Sequence, residues 1–368
     1  MNHSFLPQAR AHLEKIHSYS AGKTAKDISS KKSHMIKLSS NESTWGPSED
    51  AKNALKRAVN SVHLYPPSQS DDLRERLARF SHVLPENIII GNGSNEVIQF
   101  VILAYVSAKE HVLVPEPTFS MYKIYSQIMN VRVSSVPHQK DHAISLSAVK
   151  RKITARTKMI FLSNPNNPTG MIMDKMELEL FLMGIQKNIV VVIDEAYSDF
   201  CDTAFKPDFS AMLRSGHYPN LIVTRTFSKA FGMAGLRLGY GIAHKHTIEM
   251  LRKMGQHFNV NSMAVAAANA TLENLSHYRE VVDQVRVGRR YLEQKFSEMG
   301  ISYQPSQANF IMIKTGNGKR AFDDLAERGI IVRELSSFGM PEYIRVTVSS
   351  MEHNKKLVQA LGELQWIL

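Results

Sequence analysis

The sequence has a single cysteine, Cys201, and only two tryptophans among its 368 residues. One cysteine cannot form an intrachain disulfide or a cysteine zinc site. No apolar run approaches the ~20 residues that a helix needs to cross a bilayer, and the first ten residues lack the apolar stretch of a secretory signal. We therefore expect a cytoplasmic protein that does not associate with a membrane.

Acidic residues are fewer than basic ones, with 34 Asp and Glu against 45 Lys and Arg, which gives a formal net charge of +11. The basic residues are spread along the chain, without zinc-finger spacing, aromatic–basic interleaving or a basic helix with heptads. We therefore predict no nucleic-acid binding and no metal site. The excess positive charge suits attraction for small phosphorylated or carboxylate substrates.

Short apolar runs, rich in β-branched residues, alternate with helix-length segments through the middle of the chain. The runs are residues 88–90, 112–114, 159–162, 190–193 and 221–223. This alternation predicts an α/β fold with a mainly parallel sheet that helices cover on both faces. In such sheets, the side chains that bind ligands gather at the carboxyl ends of the strands.

The two ends of the chain differ from this middle part. We predict an N-terminal arm at 1–45 that belongs to the small domain, a large domain at 46–271 and a smaller α+β domain at 272–368. Within the last, the pattern predicts one long helix at 272–298, strands at 309–314 and 343–348, and a helix at 318–328. In the large domain, a helix at about 47–60 should bury Ala51, Leu55, Ala58 and Val59.

Polar motifs directly follow the predicted strands. Gly93-Ser94-Asn95 comes after the strand at 88–90 and opens a helix, whose free N–H groups and dipole suit an anion such as phosphate. The loop Asn164-Pro165-Asn166-Asn167-Pro168-Thr169-Gly170 follows the strand at 159–162 and can hold an asparagine side chain in one orientation. Taken alone, each motif is equally typical of an ordinary turn.

The next two strands end in charged residues. Asp194 closes an apolar strand, where an unpaired carboxylate is costly, so it needs a cationic partner or caps a helix. Thr226-Phe227-Ser228-Lys229 follows the strand at 221–223, and Arg237 lies eight residues further on. A buried lysine beside positive neighbours has a lowered pKa that favours Schiff-base formation, and arginine binds phosphate through two N–H groups. The order of the sites, each behind its own strand, is the specific signal.

With these motifs the sequence resembles the fold-type-I pyridoxal-phosphate aminotransferases, and among them the histidinol-phosphate aminotransferase family. The resemblance is carried by Asn167, Asp194 with Tyr197, Ser228-Lys229 and Arg237, and it extends over almost the whole chain, from Tyr19 to Thr347. It implies a large domain with a mainly parallel seven-stranded sheet and a smaller α+β domain. It also implies the cofactor pyridoxal 5'-phosphate and a homodimer with shared active sites.

The resemblance further implies a role for individual residues. Lys229, Asp194 and Tyr197 would be catalytic: Lys229 carries the cofactor as a Schiff base and moves a proton, and Asp194 pairs with the pyridinium nitrogen. Asn167 and Tyr197 would hydrogen-bond to the ring oxygen, and Phe119 would stack on the ring. The groups expected to hold the phosphate are Gly93, Ser94, Asn95, Thr226, Ser228, Arg237 and Tyr65 of the partner subunit. The expected substrate-binding residues are Tyr19, Asn41, Asn167, Arg333 and Arg345.

These roles imply transfer of an amino group from glutamate to imidazole acetol phosphate, giving histidinol phosphate and 2-oxoglutarate in histidine biosynthesis. The chain departs from the usual family pattern at Ser43-Thr44-Trp45, Phe119, Glu334 and Ser349. An aminotransferase for aromatic or other amino acids, and a threonine-phosphate decarboxylase, therefore remain alternatives. A non-catalytic binding protein would not require Lys229.

Overall fold

The apolar runs form strands of a central sheet in the computed structural model, which describes residues 9–16, 35–66, 70–364 and 366. The strands are β1 (Ile36–Lys37), β2 (Ile88–Gly91), β3 (His111–Glu116), β4 (Arg132–Pro137), β5 (Thr157–Ser163), β6 (Val190–Asp194), β7 (Leu221–Thr226), β8 (Gly239–Ala243), β9 (Tyr303–Gln304), β10 (Phe310–Lys314), β11 (Ile330–Ile331), β12 (Arg333–Glu334) and β13 (Tyr343–Thr347). Each predicted apolar run lies within one of these strands.

The strands form three sheets. The central sheet has seven strands in the order β2-β8-β7-β6-β5-β3-β4, and β8 alone runs antiparallel to its neighbours. A four-stranded antiparallel sheet has the order β12-β13-β10-β9. Strands β1 and β11 form a short parallel pair, which joins the N-terminal segment to the C-terminal part of the chain.

The helices occupy the segments between the strands. They are α1 (Glu49–Ala58), α2 (Asp71–Phe80), α3 (Ser94–Tyr105), α4 (Met121–Ile128), α5 (Leu146–Arg151), α6 (Lys175–Gly184), α7 (Phe209–Arg214), α8 (Lys245–Arg252), α9 (Ser262–Glu273), α10 (Ser276–Glu298), α11 (Gly318–Glu327) and α12 (Met351–Gly362). Several begin at a side chain that accepts a hydrogen bond from a free backbone N–H. Such caps are Ser48, Ser145, Asp174, Asp208, Asn261, Asn317 and Ser350.

Alternate residues of the central strands enter two different cores. On β6, Val191 and Ile193 pack into one core while Val190 and Val192 pack into the other. Because successive side chains of a strand point to opposite faces, this division places helices on both sides of the sheet. A third core lies between the four-stranded sheet and the helices α10, α11 and α12, and its centre includes Phe310.

Two details of the prediction are wrong. The long helix expected at 272–298 is divided, because α9 ends at Glu273 and α10 begins at Ser276, whose N–H and hydroxyl both donate to the Asn274 side chain. In α1, Ala54 is buried whereas Val59 is 53% exposed. Val59 lies beyond the last α-helical residue, in a 3₁₀ turn, so the helical periodicity no longer directs it inward.

Candidate active site

A cavity of about 430 Å³ opens at the carboxyl ends of β5, β6 and β7. The cavity is lined by Ser39, Ser40, Asn41, Glu42, Ser94, Asn95, Phe119, Ser163, Asn167, Asp194, Ala196, Tyr197, Thr226, Ser228, Lys229, Ala234, Gly235, Arg237, Arg333, Phe338 and Arg345. The structure thus brings together thirteen of the residues expected from the sequence: Asn41, Ser94, Asn95, Phe119, Asn167, Asp194, Tyr197, Thr226, Ser228, Lys229, Arg237, Arg333 and Arg345.

Asp194 presents a buried carboxyl group to the cavity. Its Oδ2 accepts a hydrogen bond from the Tyr122 hydroxyl at 2.6 Å, and its Oδ1 accepts from the Ala196 N–H at 3.1 Å and the Thr224 hydroxyl at 3.2 Å. Burial raises the pKa of Asp194, although these hydrogen bonds oppose the shift. The three donors are neutral, so the carboxylate is oriented but not neutralised by them.

Lys229 lies in the same cavity, and its Nζ donates to the backbone oxygen of Ser40 at 3.1 Å. Burial lowers the pKa of Lys229 to about 7, and the nearby guanidinium groups of Arg345 and Arg237 contribute to this shift. The Nζ atom also lies 5.7 Å from the centre of the Tyr197 ring. At neutral pH a substantial fraction of this amine is therefore uncharged, which is the nucleophilic and basic form.

The Tyr197 hydroxyl is held by two amides. Asn41 Nδ2 donates to it at 3.1 Å and Asn167 Nδ2 lies at 3.5 Å. The Asn41 backbone has a φ of 56°, and its N–H donates to the Thr347 hydroxyl at 3.0 Å. Asn41, expected to bind substrate, therefore also fixes the phenol of Tyr197 within the site.

The opposite part of the cavity, here called the anion pocket, presents groups that are suited to an anion. The first two residues of α3, Ser94 and Asn95, line it, and the free N–H groups at the start of a helix favour an anion. The Ser228 N–H and hydroxyl both contact the Thr226 hydroxyl, at 3.1 and 3.0 Å, and Arg237 Nη1 donates to the Ser228 hydroxyl at 3.4 Å. Gly93 does not line the cavity, but a Cβ atom there would lie 2.7 Å from Arg237 Nη2, so glycine lets this guanidinium approach the helix.

Two arginines from the antiparallel sheet complete the cavity. Arg333 on β12 is the direct cross-strand partner of Arg345 on β13. Arg345 is buried and donates to the side chain of Asn167 and, at 2.9 Å, to the backbone oxygen of Ser39, while Arg333 donates to the Ser337 hydroxyl at 3.1 Å. Like charges at cross-strand positions repel each other, so this pairing is suited to an anionic ligand between them.

Sequence reasoning missed several groups that shape this site. Tyr122 and Thr224 bind the Asp194 carboxylate, and Phe338 lines the cavity near Arg333. Tyr122 lies three residues after Phe119, the residue expected to stack on the cofactor, and this proximity was an available signal. Phe338 belongs to a short 3₁₀ turn and does not directly follow a predicted strand, so no comparable signal pointed to it.

Besides Gly93, one expected residue that the structure describes does not line the cavity. Tyr65 is 82% exposed and stacks on Phe258, with ring centres 4.8 Å apart. It does not line the cavity of its own chain. Tyr19 lies outside the described residues.

Most departures from the family pattern lie outside the cavity lining. Trp45 packs against the third core, and the Glu334 carboxylate accepts from the Ser336 N–H at 2.7 Å. Thr44 and Ser349 share a hydrogen bond, and the Ser349 hydroxyl also contacts His353 Nδ1 at 3.0 Å. These substitutions therefore leave the polar groups of the cavity in place.

Within 9–16, 35–66, 70–364 and 366, the helices are too short or too polar to span a bilayer. In the same part of the chain, no three His, Cys, Asp or Glu side chains are grouped so that they could ligate a metal ion.

Comparison with known proteins identifies the family. The family described as Aminotransferase class I and II matches residues 33–361. Histidinol-phosphate aminotransferase of Akkermansia muciniphila is 37% identical over 97% of this chain and 98% of its own length, and histidinol-phosphate aminotransferase 2 of Carboxydothermus hydrogenoformans is 38% identical over 98% and 99%.

The fold of this chain is similar to that of a solved structure. The crystal structure of histidinol-phosphate aminotransferase from Sinorhizobium meliloti, in complex with pyridoxal-5'-phosphate, superposes with a TM-score of 0.89 at 24% identity, covering 99% of this chain and 98% of that one. The predicted fold class, enzyme class and cofactor agree with these matches. The chain belongs to the class I and II aminotransferases.

Proposed function

We propose that the protein is a histidinol-phosphate aminotransferase, which transfers an amino group from glutamate to imidazole acetol phosphate. The observation that carries this proposal is the pairing of Arg333 with Arg345 across β12 and β13, in the cavity that also holds Lys229 and Asp194. One half of the reaction uses a dicarboxylate and the other a phosphate ester, and paired arginines can bind either. Relatives named for this activity cover nearly the whole chain.

The residues of the cavity fit pyridoxal 5'-phosphate. The buried Asp194 carboxylate has neutral donors around it and suits a protonated pyridine nitrogen, while the Ser94 and Asn95 N–H groups, Ser228 and Arg237 suit the phosphate. When bound, this cofactor withdraws electrons from the substrate carbon that carries the amino group. Tyr197 and Asn167 would hydrogen-bond to its ring oxygen, and Phe119 would stack on its ring.

Lys229 is the residue that we assign to proton movement. Its pKa, lowered to about 7 chiefly by burial, lets the Nζ atom accept the proton that leaves the substrate α-carbon and then give it up at a different carbon, so that the amine is free again for the next step. The hydrogen bond to the Ser40 backbone oxygen orients the amine inside the cavity. Asp194, held by Tyr122 and Thr224, would keep a negative charge fixed at the other end of the ring.

The arginines would bind the rest of the substrate. We assign Arg345, which is buried and held by Asn167 and the Ser39 backbone, to the α-carboxylate of glutamate. Arg333, the cross-strand partner of Arg345, would bind the phosphate of histidinol phosphate, with Phe338 beside the imidazole ring. Tyr19 would join this phosphate site.

We further propose that the enzyme is a cytoplasmic homodimer with shared active sites. Exposed apolar side chains at Val59, Val62, Leu64 and Tyr65 form a surface suited to a second copy. Tyr65 would extend from this surface to the phosphate of the partner's cofactor. The division into an arm at 1–45, a large domain at 46–271 and a small domain at 272–368 belongs to the same proposal.

A substrate panel tests the proposed function. Purified protein with pyridoxal phosphate and 2-oxoglutarate should turn over histidinol phosphate faster than phenylalanine, tyrosine or aspartate. A higher kcat/KM with an aromatic amino acid would identify an aromatic aminotransferase instead. Release of carbon dioxide from threonine phosphate without any keto acid would identify the decarboxylase.

Replacement of one arginine separates the two substrates. Arg333→Ala should lower kcat/KM for histidinol phosphate by about 100-fold, since a charged hydrogen-bonded contact is worth about 2–3 kcal/mol. The kcat/KM for glutamate should fall much less, because Arg345, the residue assigned to its carboxylate, is intact. Arg328→Gln, which removes a surface arginine paired with Glu363, serves as the control. Equal losses for both substrates would place the phosphate site elsewhere.

A further inference from the structure

A buried ion pair lies directly behind the cavity. Arg225 on β7 donates through Nε to Glu195 Oε2 at 2.7 Å, and its Nη2 is also 2.7 Å from that oxygen. The Glu195 side chain is 1% exposed and that of Arg225 is 15% exposed. Neither residue lines the cavity, and the substrate and cofactor roles described above do not use either one.

Each member of the pair is next in sequence to a residue of the site. Glu195 follows Asp194, and Arg225 lies between Thr224 and Thr226, which face the cavity side of β7. Because side chains alternate along a strand, Arg225 points to the other side. The Asp194–Thr224 contact and the Glu195–Arg225 pair therefore connect the same two strand ends from opposite faces.

Further contacts tie the pair to the surrounding sheet. Asp194 and Thr224 are partners in the parallel register of β6 and β7, and the Glu195 N–H donates to the Thr224 backbone oxygen at 2.9 Å. Arg225 is paired with Tyr240 on β8, and its Nη1 donates to the Ser81 hydroxyl at 3.4 Å. The guanidinium is thus held by the Glu195 carboxylate and the Ser81 hydroxyl, and it orients the Glu195 side chain in turn.

We propose that the Glu195–Arg225 pair is a positioning device for the cofactor site, which holds Asp194 and Thr226 at the spacing that the ring nitrogen and the phosphate require. The pair touches neither cofactor nor substrate and acts through its sequence neighbours. The inference rests on the pyridoxal-phosphate cofactor and not on the choice of amino acid substrate. Failure of the substrate panel would leave it intact.

The decisive variant is Glu195→Gln, which keeps the size of the side chain and removes its charge. Apo-protein would be titrated with pyridoxal phosphate and the dissociation constant measured by fluorescence quenching, alongside the absorption spectrum of the bound cofactor as a function of pH. We expect the dissociation constant for pyridoxal phosphate to rise at least about tenfold, which corresponds to about 1.4 kcal/mol of binding free energy. We also expect a shift in the pH midpoint of the visible absorption band. An unchanged dissociation constant and pH midpoint would overturn the proposal.

Arg289→Gln provides a matched control. Arg289 is a buried arginine that contacts Asp202 at 3.3 Å and does not line the cavity. Its replacement should lower the melting temperature of the apo-protein while leaving the dissociation constant for pyridoxal phosphate unchanged. Equal weakening by both variants would mean that Glu195 acts only through general stability, which would also overturn the proposal.

A double variant separates positioning from the cost of an unpaired charge. Glu195→Leu with Arg225→Met removes both charges, and apolar replacement of a buried pair often restores stability. We expect the melting temperature to recover while cofactor binding stays weak. Full recovery of binding would show that any apolar packing suffices and would overturn the proposal. If Glu195→Gln does not fold, this double variant decides the question.

Discussion

Burial shifts the pKa values of Asp194 and Lys229 in opposite directions. Burial disfavours the charged form of both, so it raises the pKa of Asp194 and lowers that of Lys229. For Lys229 the result is a basic amine near neutral pH. For Asp194 the result is a buried carboxylate whose charged form is stabilised by a cation in contact with it. A protonated ring nitrogen would therefore bind there strongly.

Asp194→Asn tests this electrostatic role. The amide retains the size of the side chain but cannot stabilise a protonated ring nitrogen. We expect the cofactor to bind and kcat to fall by about two to three orders of magnitude, as when one electrostatic contact to a transition state is removed. Steady-state kinetics with glutamate and 2-oxoglutarate measures the effect.

Asp199→Asn is the control for that measurement. Asp199 accepts from the Tyr278 hydroxyl at 2.9 Å, and burial raises its pKa as it does for Asp194. It does not line the cavity, so its replacement should leave kcat within a fewfold of the parent enzyme. Equal losses in the two variants would contradict the assignment of Asp194 to the cofactor.

At the residue scale, the sequence predicted those side chains that directly follow a strand. Lys229 and Asp194 could be assigned because chain order and strand ends place them at one edge of the sheet, and Arg237 belongs to the loop between β7 and β8 that also carries Lys229. Tyr122 reaches Asp194 across 72 positions of sequence. A contact of that kind depends on how α4 packs on the sheet, which periodicity alone does not determine.

At the element scale, the anion pocket depends on the close approach of α3 to β8. A Cβ atom on Gly239 would lie 2.2 Å from the Ser94 nitrogen and 2.5 Å from the Gly93 carbonyl carbon. Both neighbours are backbone atoms and cannot rotate away. Glycine at this position therefore lets the helix place its N–H groups in the cavity.

Gly239→Ala should displace the start of α3 from β8. We expect the dissociation constant for pyridoxal phosphate to rise at least about tenfold and the protein to lose about 1–3 kcal/mol of stability, as in overpacked cores. Fluorescence titration and chemical denaturation measure the two effects. Gly362→Ala is the control, since the nearest atom to its added Cβ is the flexible Met299 Cε at 3.5 Å. Normal cofactor binding by Gly239→Ala would refute the role given to this contact.

The strands that the sequence predicted are those buried on both faces. Val190, Val191, Val192 and Ile193 are all apolar because helices cover both sides of the sheet there. Strand β8 was not predicted, since its two glycines and short apolar content match a turn as well as a strand. The interruption at Asn274 was missed for a similar reason, because a single capping residue within a charged helix is a weak signal.

At the scale of the whole molecule, the buried amine of Lys229 makes the stability of the apo-protein depend on pH. The pKa of Lys229 is about 7 in the folded protein and 10.5 in an ordinary environment. Between pH 7 and pH 10.5 the lysine is therefore protonated in the unfolded chain but largely neutral in the folded protein. The penalty for burying Lys229 is therefore full below pH 7 and declines as the pH rises towards 10.5.

Lys229→Met removes this penalty. We expect the apo-variant to be more stable than the apo-parent near pH 7, with the difference shrinking towards pH 10.5, when stability is followed by urea denaturation. Lys356→Met, at an exposed lysine paired with Glu352, should show no such trend. A stability difference that grows with pH would contradict the lowered pKa of Lys229.

In the proposed dimer, each active site would contain residues from both subunits. Tyr65 is exposed in its own chain, and only a second copy could bring its phenol to a cofactor phosphate. In that case each active site needs Lys229 from one subunit and Tyr65 from the other. Two variants that each lack one of these groups should then complement each other.

Tyr65→Ala and Lys229→Ala, each nearly inactive alone, would be unfolded together and refolded as a mixture. Random pairing makes half of the dimers hybrid, and each hybrid has one complete site, so about one quarter of the parent activity should return. Complete sites arise because the Tyr65→Ala subunit supplies Lys229 and its partner supplies Tyr65. Size-exclusion chromatography with light scattering would verify the dimer. If activity in the mixture stays at the sum of the separate variants, Tyr65 serves its own chain or no site at all.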